Sequence, residues 1–535
     1  MTFPSKRVLK DILGDLPLAA EVYWRLRQPG KPVTAKFALS QLQKALPVWR
    51  SQAEASPLLL QPGKQVLIFG TLRYWLEHTT LLGMALAGQG HTVTLAFLPY
   101  GTWQTPMNHF DLRRQNVYTQ EVLKLTNPLL KVVSFLNLKP EVLPEDLDHA
   151  IELLALRDTQ YTLQLEEVDL NSELYQLRLE RNRQAAWAAL QWIKENQPDV
   201  VVLPNGTILE FGALYQVAKF TRTPVVTYEF GEQRERVWLA QNAEVMRQDT
   251  NELWQKRQGI ALTAEQLQQA RNLFSARQRA SLWENFVRRW QGVPSEGGER
   301  VRAALNLDRR PVLLLATNVI GDSLTLGRQV FSDSMTEWIA KTVQYLATRT
   351  DIQFVIRIHP GELITKGPSV AEVVLRALEL SPDNLAAIPE HIHLIPAEAK
   401  INTYDIVEIA DLGLVYTTTV GMEMVMSGVP VIVVGNTHYR GKGFTLDPDS
   451  WEAYFELLGK ALAAPSAFRP TRQQVEQVWN YAYRFFFEYP HPFPWHVVHF
   501  WKDEALWPLK RVFSQEGQEI FGKTFRYLVG EPIEW

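Results

Sequence analysis

Short apolar runs that alternate with helix-like segments constrain this chain most, because the pattern predicts parallel sheets whose faces are covered by helices. In the first half of the chain the runs lie at residues 65–69, 92–97, 200–203 and 224–228. A second series lies at residues 312–316, 354–358, 391–395, 412–416 and 430–434. Two such series within 535 residues predict two α/β domains.

The segments around the two series complete the predicted domain organisation. Residues 1–62 predict a helical N-terminal extension, residues 63–300 a first Rossmann-like domain with helical insertions, and residues 301–470 a second Rossmann-like domain. Residues 471–535 are crowded with aromatic side chains, which need surface to pack on, so we expect helices that pack back on the body. The expected fold is α/β, with two facing Rossmann-like domains and helical N- and C-terminal extensions.

Composition excludes several kinds of chemistry. The chain has no cysteine, which excludes disulfides, thiolate zinc sites, iron–sulfur clusters and a cysteine nucleophile. The formal net charge of -3 gives no overall attraction to nucleic acid, which we do not expect as a partner. His391 and His393 lack zinc-site spacing, and no P-loop or nucleophile-elbow motif is present. The sequence therefore predicts neither a metal nor a cofactor.

No segment has the pattern of a membrane span or a signal peptide. Charged residues interrupt the first 20 positions, and the most apolar stretch, residues 412–439, is broken by Glu423 and Pro430. We expect a cytoplasmic protein.

The clearest functional motif follows the run at 412–416. Thr417, Thr418 and Thr419 precede Gly421, and a helix is expected to begin at about residue 422. Hydroxyls and backbone N–H groups at a helix start can bind phosphate, and Gly421 would let the phosphate approach the backbone. Glu423 could then accept hydrogen bonds from ribose hydroxyls. The alternative interpretation is a simple helix cap.

Two further loops follow strands of the same predicted sheet. Arg357, His359 and Glu362 could hold a phosphate and a sugar hydroxyl, or else form a structural turn in which Arg357 and Glu362 pair. Arg440 and Lys442 alternate with glycines and could bind a phosphate, or else belong to a solvated loop. Because ligands of parallel sheets bind beyond the carboxyl ends of the strands, the three loops together favour a phosphate site.

In the first series the loops after the strands carry candidate general bases, since an attacking hydroxyl must lose a proton. These candidates are Glu77, His78, Glu229 and Glu232. Asn205 lies in a further loop of this series and joins the acceptor-side candidates His78 and Glu232. The catalytic candidates are Glu77, Glu229 and His359.

Residues 357–362 and 415–445 resemble bacterial capsule and surface-polysaccharide biosynthesis proteins, which are glycosyltransferase-like with two facing Rossmann-type domains, the GT-B arrangement. Residues 317–322, 402–405 and 205–229 add to this likeness. The resemblance implies that His359 and Glu362 lie near a nucleotide-sugar donor, that Thr417, Thr418, Thr419 and Gly421 hold its phosphate, and that Glu423 holds the nucleoside.

The predicted activity is therefore transfer of a sugar from a nucleotide-activated donor to a glycan or lipid-linked acceptor, without a metal. If the acceptor is lipid-linked, the protein would contact the inner face of the membrane peripherally. Two other functions stay open: a nucleotide-sugar epimerase of the same architecture, and a non-catalytic nucleotide-sugar-binding scaffold of a glycan assembly complex.

Overall fold

A computed structural model describes residues 6–60, 62–231, 233–279, 293–365, 367–381 and 384–535. Contacts divide the chain into two compact units. The first unit contains the residues up to Asp158 together with Asp169–Met246 and Pro490–Glu534. The second unit contains Thr159–Val168 and Arg247–Tyr489, with Trp535.

The elements of the first unit lie in three stretches of the chain. Its strands are β1 (Gln65–Thr71), β2 (Thr92–Leu98), β3 (Leu130–Ser134), β4 (Val200–Pro204), β5 (Val225–Glu229), β6 (Arg236–Gln241) and β12 (His491–Pro492). Its helices are α1 (Lys6–Asp15), α2 (Ala19–Arg27), α3 (Ser40–Glu54), α4 (Arg73–Gly88), α5 (His109–Leu123), α6 (Glu145–Leu163), α7 (Glu173–Asn196), α8 (Leu209–Thr221), α18 (Phe500–Leu506), α19 (Leu509–Val512) and α20 (Gln515–Leu528). The last turn of α6 extends into the second unit.

The second unit has a smaller sheet. Its strands are β7 (Val312–Ala316), β8 (Gln353–Arg357), β9 (Ile392–Ile395), β10 (Leu412–Val415) and β11 (Val431–Val433). Its helices are α9 (Asn251–Arg257), α10 (Ala264–Gln278), α11 (Gly298–Ala304), α12 (Met335–Ala347), α13 (Val370–Ala377), α14 (Thr403–Val407), α15 (Val420–Met426), α16 (Trp451–Ala463) and α17 (Arg472–Tyr483).

The first sheet has the strand order β12-β6-β5-β4-β1-β2-β3. Strands β1 to β5 pair in parallel, whereas β6 is antiparallel to β5 and β12 is antiparallel to β6. The chain leaves β1 toward β2 and β3 and then crosses to the other side of β1 to form β4. The switch point of this sheet, where connections diverge and ligands commonly bind, therefore lies between β1 and β4.

The second sheet is parallel throughout its described strands and has the order β11-β10-β7-β8-β9. Strand β7 is buried along its whole length, as expected for a parallel sheet covered by helices on both faces. The chain runs from β7 to β8 and β9 and then crosses to form β10. The switch point of this sheet therefore lies between β7 and β10.

The predicted mixed α/β architecture with parallel sheets is confirmed, but one predicted element is wrong. Residues 235–300 are rich in Gln, Arg and Glu, a composition that predicts helices on a solvated surface, yet residues 236–241 form β6. Val237 and Leu239 are buried, and Arg236, Trp238 and Ala240 between and beside them are less so. This period of two, together with pairing to β5, outweighs the polar composition.

The contacts also group the chain differently from the predicted domain boundaries. Residues 247–279 belong to the second unit, because α10 packs against α17 of that unit. Residues 159–168 join it as well, since the Glu166 carboxylate accepts hydrogen bonds from the first N–H groups of α12, those of Met335 and Thr336.

The aromatic side chains of the C-terminal stretch are mostly buried. Trp495 and Tyr481 are almost fully buried, in the first and the second unit respectively. In the part of the chain that the structure describes, no helix is both long enough and apolar enough to cross a bilayer.

Candidate functional site

A cavity of about 110 Å³ opens at the switch point of the second sheet. Its lining comes from the segments that follow β7, β8, β9 and β10, and from α10. The polar residues that line it are Arg277, Thr317, Arg357, His359, Asn402, Thr403, Tyr404, Thr418 and Thr419. The cavity lies where a doubly wound sheet is expected to bind its ligand.

Hydrogen bonds between neighbouring strand ends hold this cavity open. Thr317 accepts a hydrogen bond from the backbone N–H of His359 at 2.9 Å, which joins the ends of β7 and β8. The side chain of Asn318 accepts from the backbone N–H of Thr417 at 3.2 Å, which joins β7 to β10 across the switch point. The backbone around the cavity is therefore preorganised before any ligand binds.

Arg357 is the buried cation of the cavity, with 3 % of its surface exposed. Its guanidinium donates to the carbonyls of Pro396 (2.6 Å) and Ile401 (3.3 Å), and among the described residues it forms no ion pair. Burial lowers the pKa of Arg357 to about 10, so it stays charged at neutral pH. The Glu398 carboxylate is close enough to favour the charged form of Arg357 but forms no ion pair with it. A buried cation whose hydrogen-bond partners are carbonyl oxygens favours an anionic ligand.

His359 lines the same cavity on the 3₁₀ turn after β8. Its Nδ1 accepts a hydrogen bond from the N–H of Gly361 at 2.9 Å, which assigns the ring proton of a neutral His359 to Nε2. This hydrogen bond within the turn fixes the orientation of the imidazole ring.

Arg277 is a site residue that the sequence did not reveal. It lies near the end of α10, and its Nη2 donates to the Thr419 hydroxyl at 3.0 Å and lies 3.1 Å from Oε1 of Glu423. No local pattern distinguishes Arg277 from other charges in its Arg- and Gln-rich helix. Tyr404, which also lines the cavity, has its pKa raised by burial and by the neighbouring Glu423 carboxylate. Tyr404 lies within residues 402–405, which contribute to the resemblance to surface-polysaccharide proteins, so the sequence did indicate this segment.

The Thr-rich motif is divided between the cavity and the protein interior. Thr418 and Thr419 line the cavity, whereas Thr417 is buried beside it, and its Oγ1 has no hydrogen-bond partner among the described residues. Glu423 is buried in α15 and is paired with Arg277. The expected ribose contact of Glu423 would have to compete with this ion pair.

Gly421 does not line the cavity. A Cβ at this position would lie 2.5 Å from the Tyr439 hydroxyl and 2.8 Å from Val415. The glycine is required because Tyr439 packs against it, and the structure gives it no open approach for a phosphate.

Three other predicted donor-binding residues lie elsewhere in the second unit. Glu362 accepts hydrogen bonds from Ser369 Oγ and the N–H of Val370, so it caps α13 and does not pair with Arg357. Burial raises the pKa of Glu362. The guanidinium of Arg440 binds the carbonyls of Val433 and Pro448, and the ammonium of Lys442 binds Asn251. Both cations are therefore bound to other groups of the second unit and do not line the cavity.

Two of the candidates in the first unit are interior. His78 is fully buried, and its ring nitrogens lie 3.2 Å from the Tyr228 hydroxyl and 3.2 Å from the Trp495 carbonyl. Burial lowers the pKa of His78 to about 3, which makes it a neutral structural group that no acceptor can reach. Glu77 is also buried, its pKa is raised by burial, and its carboxylate interacts with Arg73 and Trp501.

Glu229 and Asn205 meet beyond the ends of β5 and β4. Asn205 donates to the Glu229 carboxylate at 2.8 Å and adopts a left-handed conformation with φ 56°. The backbone N–H of Phe230 also donates to Glu229, at 2.9 Å. Burial raises the pKa of Glu229, although the residue is not fully enclosed. Glu232 lies outside the described residues.

Among the described residues, no three His, Asp or Glu side chains form a group that could hold a metal ion.

No family model and no curated protein matches the chain. Several solved structures share parts of it at low similarity. A KpsC β-Kdo 2,4-transferase from Thermosulfurimonas dismutans is 15 % identical over 53 % of this chain and 78 % of that one, with a TM-score of 0.31. UDP-GlcNAc 2-epimerases from Neisseria meningitidis and Methanocaldococcus jannaschii are each 14 % identical. They cover 79 % and 77 % of this chain and 98 % and 97 % of their own, with TM-scores of 0.25 and 0.26. At such TM-scores the likeness carries no argument about function, which rests on the site itself.

Proposed function

We propose that this chain is a glycosyltransferase that binds a nucleotide-activated sugar in the cavity of the second unit and transfers the sugar to a glycan or lipid-linked acceptor. One observation carries the proposal. Arg357 is a buried, charged guanidinium in a cavity at a sheet switch point, and its described hydrogen-bond partners are neutral carbonyls, with the Glu398 carboxylate nearby but not paired with it. A nucleotide phosphate in the cavity would give Arg357 an ion-pair partner.

The other polar groups of the cavity fit the same class of ligand. Arg277 adds a second guanidinium, and Glu423 adds one carboxylate, so the pair is close to neutral. The charge left for a ligand is therefore that of Arg357. The hydroxyls of Thr418 and Thr419 can donate to phosphate or accept from sugar hydroxyls.

In the proposed reaction the bond between the anomeric carbon and the phosphate oxygen breaks while the acceptor hydroxyl forms the new bond. Arg357 offsets the negative charge that develops on the leaving nucleotide, which lowers the barrier without a metal. Glu229 is the favoured base for the acceptor proton, since His78 and Glu77 are more deeply buried. Its raised pKa brings it closer to neutral pH, where a base is most effective.

The likeness of the 357–362 and 415–445 motifs to surface-polysaccharide proteins supports a glycan product of the capsule class. By this proposal the second unit is the donor-binding domain of a GT-B-type enzyme and the first unit is its acceptor-side domain.

Binding can be tested by thermal unfolding of the full chain with nucleoside mono- and diphosphates and with nucleotide sugars. A ligand at about 100 times its Kd stabilises the folded chain by about 2.7 kcal/mol, which raises the melting temperature. The Arg357→Gln variant should lose this shift, while Arg376→Gln, an exposed arginine on α13, should keep it. The proposal fails if no nucleotide raises the melting temperature of the wild-type chain.

Turnover separates transfer from the alternatives. A transferase consumes the donor when acceptor is present, with at most slow hydrolysis without it. Conversion of the donor to an epimer in the absence of acceptor would identify an epimerase, and binding without any turnover would identify a scaffold.

A further inference from the structure

Exposed apolar side chains are concentrated on α1, α2 and the turn between them. Ile12, Leu16, Leu18, Val22 and Leu26 all lie within 15 residues of one another, and Leu18 and Leu26 expose 66 % and 75 % of their surface. Val22 and Leu26 are four residues apart and therefore lie on the same, outward face of α2. Leu18, the residue before the helix, is exposed as well, and the three residues together are called the row. Clusters of this kind on a folded surface commonly mark an interaction site.

The opposite face of α2 is firmly anchored, so the row is held outward. Trp24 and Ala20 are buried, and the Trp24 indole donates to the carbonyl of Lys31 at 3.0 Å. Arg113 of α5 binds the Glu21 carboxylate through Nε at 2.9 Å and Nη2 at 2.5 Å. Leu18, at the start of α2, has φ 60°, a conformation that is costly for leucine and that leaves its side chain exposed.

Exposed basic residues lie on α2 and in the segment that follows it. Arg25, Arg27, Lys31 and Lys36 are exposed, and none of them forms an ion pair with another described residue. Of the nearby carboxylates, Glu21 is engaged by Arg113, and the exposed Asp15 lies 4.0 Å from the His109 ring. Residues 1–36 contain seven Lys and Arg against three Asp and Glu, a surplus of four positive charges in a chain whose net charge is -3.

From these observations we propose that the outward face of α2, with the turn before it, binds the surface of an anionic lipid bilayer. The three aliphatic side chains of the row enter the boundary between headgroups and acyl chains, and the surrounding Arg and Lys side chains contact the anionic headgroups. The pairing of an apolar row with unpaired basic residues favours a lipid surface over a protein partner or a second copy of this chain. The proposal is independent of the enzymatic activity proposed above.

The test uses the full chain with sedimenting vesicles of phosphatidylcholine alone, or of phosphatidylcholine mixed with phosphatidylglycerol. One variant removes the row (Leu18→Gln, Val22→Gln, Leu26→Gln), and a second removes charge (Arg25→Gln, Arg27→Gln, Lys31→Gln). The matched control changes three exposed aliphatic residues elsewhere on the first unit, Val142→Gln, Leu153→Gln and Leu170→Gln. Thermal unfolding establishes that each variant is folded.

Wild-type chain and control should sediment with the anionic vesicles, and binding should weaken as salt is raised. The charge variant should bind at least about tenfold more weakly, since each basic residue near an anionic surface contributes about fivefold. The row variant should weaken binding to a similar extent, because it removes the aliphatic side chains that enter the bilayer boundary. Equal binding by the row variant and the wild type, or no preference for anionic vesicles, would overturn the proposal. A wild-type chain that self-associates but does not bind vesicles, with a row variant that is monomeric, would instead identify a second copy of the chain as the partner.

Discussion

Arg357 and His78 are both deeply buried, yet burial has opposite consequences for the charge of the two side chains. Burial lowers the pKa of Arg357 only to about 10, with the nearby Glu398 carboxylate favouring the charged form, so Arg357 remains a cation at neutral pH and can bind an anion. The pKa of His78 falls to about 3, so it remains neutral and is satisfied by Tyr228 and Trp495. The same physical effect thus selects one residue as a ligand group and the other as part of the core.

The neutral state of His78 predicts how stability depends on pH. Below about pH 6.5 the unfolded chain protonates this histidine while the folded chain does not, so stability present above that pH is lost as the pH falls toward 3. Each such histidine costs about 1.4 kcal/mol per pH unit in this window. His491, whose pKa burial lowers to about 4, acts in the same direction.

We expect His78→Gln to lower stability at neutral pH, because packing is lost, but to make its pH dependence shallower by about one proton. Urea unfolding of both chains between about pH 6.5 and 5 measures the two slopes. Parallel slopes would contradict this account, since they would show that His78 binds a proton equally well in the folded and the unfolded chain.

At the scale of elements, α10 and α15 are joined through one buried ion pair. The side chains of Arg277 and Glu423 are 9 % and 1 % exposed. Arg277→Gln would leave the Glu423 carboxylate buried without its guanidinium, and we expect a loss of about 3 kcal/mol. Adding Glu423→Gln should recover most of that loss, because two neutral amides replace the pair.

Urea unfolding of the two single variants and the double variant measures this coupling. Additive losses would show that the two residues stabilise the fold independently, which would contradict the pairing.

Gly421 offers a second test at this scale. We expect Gly421→Ala to cost about 1–3 kcal/mol, since its Cβ would meet the Tyr439 hydroxyl and Val415. In a Tyr439→Phe background the same change should cost less, because the nearest atom is gone. Gly259→Ala is the matched control, as no described atom lies within 4 Å of its Cβ position. An equal cost in both backgrounds, measured by urea unfolding, would contradict this account.

Strands were easier to predict from the sequence than the side-chain contacts between elements that are far apart along the chain. The nine apolar runs all correspond to strands, because burial on both faces of a parallel sheet leaves a local signal. The sequence Ser334-Met335-Thr336-Glu337 has the pattern of a helix capping box, but the box is only half formed. Ser334 accepts a hydrogen bond from the Glu337 N–H, whereas the Glu337 carboxylate accepts one from the N–H of Asp333. Arg277 could not be assigned to the site, since its partner Glu423 lies far along the chain and no periodicity connects them.

At the scale of the whole molecule, the two units should respond differently to a nucleotide. Hydrogen–deuterium exchange of the full chain should slow in the segments after β7, β8 and β10 and in α10, all of which line the cavity. The segments after β1, β4 and β5 should exchange at unchanged rates. Arg357→Gln should abolish the protection, and protection confined to the first unit would move the nucleotide site there.

The first unit is completed by Pro490–Glu534, which follow all but one residue of the second unit along the chain. During synthesis these residues leave the ribosome after residues 247–489 of the second unit, so β12 and the carbonyl of Trp495 beside His78 join the first unit only after that stage. Until then, part of the aromatic core of the first unit lacks the residues that cover it, whereas residues 247–489 of the second unit can already fold. A nascent chain stalled before residue 490 would expose that core to chaperones.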